Sequence, residues 1–136
     1  AKGCPLGPKL PAGGPLSCSR SLFMLGIGEV GLTELDGEAL PSSLGWLIAP
    51  QNEISVVRNP SRLGGVRKLM LSHNQLDAFA AERLIDAIPA LEMLRLACNR
   101  LETIPPAVFS HARLSWLAIG GNPYAQRQVD VALASS

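Results

Sequence analysis

The chain has 136 residues, enough for one domain, and 47% of them are hydrophobic while only 4% are aromatic. Such a core is built from aliphatic side chains rather than large rings. A net charge of +1 gives no electrostatic reason for nucleic acid or an anionic membrane as the main partner, and no run approaches the roughly 18 apolar residues of a membrane-spanning helix. The chain begins at Ala1, without the charged, apolar and small-residue regions of a signal peptide. Residues 1–20 hold Pro5, Pro8, Pro11 and Pro15 with Gly3, Gly7, Gly13 and Gly14 between them. They are expected to be a flexible leader, because such a stretch sustains neither a ladder nor a helix. Cys4 and Cys18 lie too irregularly for a metal site.

From Leu22 the pattern changes. Leu22, Leu25, Ile27, Val30 and Leu32 fit L-x-x-L-x-L-x-x-N-x-L, with Val30 where the template has Asn. Gly26, Gly28 and Gly31 within this copy also spell G-x-G-x-x-G, a dinucleotide fingerprint only when a helix follows. Leu32, Leu35, Leu40 and Leu44 continue the first period instead, so nucleotide binding is not expected. The next copy is Leu44, Leu47, Ala49, Asn52 and Ile54, and the segment 55–65 after it, with Pro60, Gly64 and Gly65, predicts an irregular or single-turn return. Val66, Leu69, Leu71, Asn74 and Leu76 form the third copy.

Residues 77–88 then predict a helix, with Asp77 as cap, Phe79, Leu84, Ile85 and Ile88 on one face, and Pro89 as stop. Leu91, Leu94, Leu96, Asn99 and Leu101 follow, after which Ile104, Val108 and Phe109 predict a short turn with Phe109 in the core. The last copy is Leu114, Leu117, Ile119, Asn122 and Tyr124, and Pro123 is expected to open a partial helical cap through Val129, Val131 and Leu133.

The copies start at 22, 44, 66, 91 and 114, so the steps are 22, 22, 25 and 23 residues. That period with that spacing marks a leucine-rich repeat. The expected fold is α/β: a leucine-rich repeat solenoid with a short curved parallel sheet, a mixed helical and irregular convex side, and about five repeats. The repeats occupy 21–124 and a tail or partial cap 125–136. In each copy the two central apolar residues face inward and their neighbours outward, since side chains alternate along a strand. Asn52, Asn74, Asn99 and Asn122 are expected to form a ladder, each amide pairing backbone groups that a turn leaves open. Val30 cannot join it, which makes the first copy a degenerate cap.

The phrases Leu44–Ala49, Val66–Leu71, Leu91–Leu101 and Leu114–Pro123 resemble the repeats that precede the kinase domain in leucine-rich repeat protein kinases. The resemblance covers residues 32–124. It implies the repeat fold and, if the chain continues beyond Ser136, a kinase domain after it. No kinase motif lies in these 136 residues, so no kinase activity is carried over.

Catalytic chemistry finds no support in the residue pattern. His73 and His111 have no nucleophile placed by motif, the carboxylates are scattered, and Cys98 beside a ladder Asn is expected to be an inert buried thiol. The outward columns are more informative. Trp46, Lys68, Met93 and Trp116 share one, and Ile48, Met70 and Arg95 stand in the next, beside small residues at Ser72, Ala97 and Gly120. Either Trp alone would serve to cover its neighbours; together with Ile48, Met70 and Met93 they favour a binding face. The expected function is a protein–protein interaction module, not an enzyme. It takes a protein or peptide on the concave strand face, without cofactor or metal, as a monomer that binds neither nucleic acid nor membrane. The alternative is the regulatory or docking region of a protein kinase. Sparse cysteines and the absence of an N-x-S/T site, Pro60 spoiling the one at Asn59, favour an intracellular, cytoplasmic protein, and a signalling role is what the resemblance to the kinase repeats implies.

Overall fold

The computed structural model describes residues 19–123. The leader and the cap expected beyond Pro123 lie outside the described residues, apart from the leader's last two positions.

Seven three-residue strands appear in chain order: β1 (Met24–Gly26), β2 (Glu34–Asp36), β3 (Trp46–Ile48), β4 (Val56–Arg58), β5 (Lys68–Met70), β6 (Met93–Arg95) and β7 (Trp116–Ala118). Five of them form one sheet in the order β1-β3-β5-β6-β7, with every neighbouring pair parallel. The apolar template sets its register. Leu25, Leu47, Leu69, Leu94 and Leu117 are direct partners across the sheet. Side chains alternate along a strand, so these five face one side together, and Leu47, Leu69 and Leu94 have no exposed surface.

The first four strands of this sheet continue in extended hydrogen bonding past their formal ends. Ile27, Ala49, Leu71 and Leu96 donate their amides to Ile48, Met70, Arg95 and Ala118 on the next strand, at 2.7 to 2.9 Å. Two residues on, Gln51, His73 and Cys98 repeat the bond to Ser72, Ala97 and Gly120. At this point the chain turns sharply. Glu29, Gln51, His73, Cys98 and Gly121 all adopt positive φ, between 56° and 72°.

After each of these turns except the first, a buried Asn satisfies the bend. The Nδ2 of Asn74 donates to Ala49 O, Leu71 O and Ser72 O, while its Oδ1 accepts from Ile54 N. Asn99 does the same for Leu71 O, Leu96 O, Ala97 O and Leu76 N. Asn122 serves Leu96 O, Ile119 O and Gly120 O, and accepts from Asn99 N and Leu101 N. Asn52 takes the carbonyls of Ile27, Ala49 and Pro50 and the amides of Val30 and Leu32. Val30, half-buried, supplies only its backbone. These bonds explain how four amides can be buried at 4% to 8% exposure without an orphaned side-chain polar atom among the described residues.

The return segments differ in form. Helix α1 (Ala78–Ala87) is capped by Asp77, whose carboxylate accepts from Ala80 N at 2.9 Å. Its buried face is Ala80, Ala81, Leu84 and Ile85, with Ile88 just beyond. Phe79, expected on that face, is instead 72% exposed. It lies five residues before Leu84, well over a quarter turn away at 3.6 residues per turn, and its ring carries the Arg83 guanidinium at 5.9 Å.

Phe109 corrects a second expectation. It is 79% exposed and Ala107 takes the inward place. The segment Pro106–Phe109 is a 3-10 turn, in which positions three apart eclipse, so Phe109 shares the exposed side of Pro106 while Ala107 faces inward. The 55–65 return does contain a single turn, Pro60–Leu63, but also a strand that the sequence did not announce: β4 pairs in parallel with β2 in a second, two-stranded sheet. Arg58 on β4 bonds Glu34 on β2 at 2.6 Å. That hydrogen bond, and then the Glu34 charge, raise the Arg58 pKa.

Candidate functional site

The outward columns inferred from the template are adjacent in space because the strand register is unbroken. Trp46, Lys68, Met93 and Trp116 are consecutive partners on β3, β5, β6 and β7. Ile48, Met70 and Arg95 occupy the parallel column two residues on, followed by Ala118. Trp46, Ile48, Lys68, Met70 and Met93 are half-buried, whereas Arg95 and Trp116 are exposed.

The two cations in this patch do not stand straight off the sheet. Lys68 leans from β5 toward β3, placing its Nζ 4.0 Å from the centre of the Trp46 ring. Arg95 leans the other way, from β6 toward β7, with its Cζ 5.3 Å from the Trp116 ring centre. Each is within cation–π range, so an indole face acts as a platform for a charge. The lean was not visible in the sequence, which shows who is next to whom but not which neighbour a long side chain chooses.

Phe23, which holds no place in the repeat template, also joins the patch. Its ring lies 6.3 Å from that of Trp46, tilted by 49°. Gly45 makes the approach possible, for a Cβ there would fall 2.2 Å from the Phe23 ring. The glycine immediately before Trp46 was the available signal. One step before the Trp46 column, Arg67 pairs with Glu92 at 3.3 Å.

Elsewhere the chemically notable residues serve the fold. His111 Nε2 bonds Ile88 O at 2.8 Å while Nδ1 accepts from Arg113 N and Leu114 N, closing the loop ahead of β7. Cys98 corrects an expectation, since it is exposed rather than buried. Its positive φ of 59° turns the side chain away from the core that Asn99 caps. His73 is exposed at the equivalent turn. The G-x-G-x-x-G phrase runs from β1 into a turn and then β2, with no intervening helix to hold a pyrophosphate. Among the described residues no group of three or more His, Cys, Asp or Glu is placed to hold a metal ion, and no helix is long and apolar enough to cross a membrane.

The repeated strand, turn and Asn cap thus have their counterpart in a known family. Residues 64–123 match the family model of the leucine rich repeat. The match spans β5, β6, β7, α1 and the caps Asn74, Asn99 and Asn122, and it supports a leucine-rich repeat protein. Leucine-rich repeats generally mediate protein–protein interaction. No curated protein and no solved structure matches the chain.

Proposed function

We propose that the chain is a short leucine-rich repeat solenoid of about five repeats that binds a protein or peptide on its concave strand face. One observation carries this reading: Trp46, Lys68, Met93 and Trp116 are successive partners across four strands, with Ile48, Met70 and Arg95 beside them. Aromatic, Met and Arg side chains gathered on a rigid sheet are the composition of an interface core, and two tryptophans are candidate anchors. The chain acts here as a monomeric, cytoplasmic binding module and not as an enzyme. A regulatory docking role beside a protein kinase domain rests on the likeness of the repeat phrases, and a reading frame continuing into kinase motifs is its test.

The binding reading is tested with a partner selected from a displayed peptide library against the folded chain. Trp46→Ala and Trp116→Ala should each weaken that partner by about 2 kcal/mol. Arg62→Ala, on the turn after β4, should leave it unchanged. If Phe79→Ala or Phe109→Ala abolishes binding while both Trp variants bind normally, the partner docks on the return side and the proposal fails.

A further inference from the structure

We propose that the segment bound on the strand face is an extended acidic one, with two carboxylates four residues apart and an apolar side chain midway: acid–x–apolar–x–acid. The inference rests on the strand-face reading and adds the partner's chemistry to it.

Charge supplies the first argument. Arg67 is matched by Glu92, but among the described residues Lys68 and Arg95 have no carboxylate at ion-pair distance; each rests on an indole. An indole holds a cation in place without neutralising it. The outer donors of both groups therefore remain available, and part of the side-chain entropy that an ion pair costs is already spent.

Spacing supplies the second. The two cations lean apart, one over the Trp46 ring on β3 and the other over the Trp116 ring on β7. Three strand spacings separate β3 from β7, about 14 Å at 4.8 Å each. Between them lie Met93 and Met70, apolar and adaptable in shape. An extended peptide crossing the strands advances about 3.3 Å per residue and shows every second side chain on one face, so positions i and i+4 lie about 13 Å apart with i+2 between them. A helix rises only about 1.5 Å per residue, and its same-face positions seven, eight and eleven residues apart fall near 10, 12 and 16 Å. The extended form comes closest to the span.

A second copy of the chain does not supply the segment. The described residues hold one match, Glu82, Leu84 and Asp86, and it is locked in α1 with Leu84 wholly buried.

The test uses the full chain and a fluorescein-labelled peptide, Gly-Ser-Glu-Thr-Leu-Thr-Glu-Ser-Gly, read by anisotropy. Replacing either Glu with Gln should weaken binding roughly two- to fivefold, the worth of an exposed ion pair. Lys68→Ala and Arg95→Ala should each do the same, and each should be insensitive to further loss of the one Glu it faces. Added salt should weaken the wild-type complex and spare the Gln peptide. Circular dichroism confirms that both variants fold. If the doubly Gln peptide binds as well as the acidic one, and Trp46→Ala weakens both, the acidic specificity is wrong while the strand-face reading stands. If no acidic peptide binds, or only a helical peptide or an RNA oligonucleotide does, and that through Lys68 and Arg95, the inference is overturned. Binding unaffected by Trp46, Trp116, Lys68 and Arg95 substitutions sinks the strand-face reading itself.

Discussion

The middle of the sheet and its two ends are written in the same template and live in different surroundings. On β5 and β6 and just after them, Leu69, Leu71, Leu94 and Leu96 have no exposed surface. At the ends, Leu25 of β1, Leu117 of β7 and Ile119 beyond it are only half-buried, although they hold the same places in their copies. A leucine in a stacked architecture is therefore worth what its two flanking copies make of it, since stability there resides largely in neighbour interfaces. The template specifies where a side chain points. Position along the stack specifies how much its burial contributes.

The sharpest way to break this comparison is a matched pair of truncations. Leu94→Ala removes a fully buried side chain between two strands and should cost about 2–5 kcal/mol, whereas Leu117→Ala should cost less than half as much. Equal losses in denaturant titrations would mean that β7 is packed as tightly as β6. The caps allow a second contrast. Asn99→Ala leaves Leu76 N without its partner and takes one of two asparagine donors from the carbonyls of Leu71 and Leu96, at about 1–3 kcal/mol. An unchanged melting temperature would show that water replaces the amide there. The smallest expected effect is at the helix: Asp77→Ala removes the bond to Ala80 N and should cost about 1 kcal/mol. Asp77→Asn, which keeps an acceptor, should recover most of it.

Much of this was legible beforehand, for a physical reason. The five main strands begin two residues into each copy, at 24, 46, 68, 93 and 116, because a period-two alternation fixes direction and register, and in the last four copies the Asn fixes the bend as well. The returns were less legible. Nothing in Glu34-Leu35-Asp36 advertises a strand, since its partner β4 lies more than twenty residues on and the two meet around one buried pair, Leu35 and Val57, and the Arg58–Glu34 bond. Phe109 and Phe79 are apolar yet exposed, because turn type and helical phase rather than apolarity set where they point. Of the candidate face, the columns could be written down from spacing, but the opposite leans of Lys68 and Arg95 and the packing of Phe23 against Trp46 needed coordinates.

The asparagine bonds have a direction in time as well as in space. Each side-chain partner of Asn52, Asn74, Asn99 and Asn122 comes from its own bend or from the copy before it, and none comes from residues further along. A chain leaving the ribosome from its N-terminus has thus already delivered everything an asparagine needs when that asparagine emerges. Each asparagine can be satisfied on arrival, while amides of its own bend such as Gln51 N and Ile54 N are taken up by the next copy, so the array can set itself one copy at a time in the order it is made.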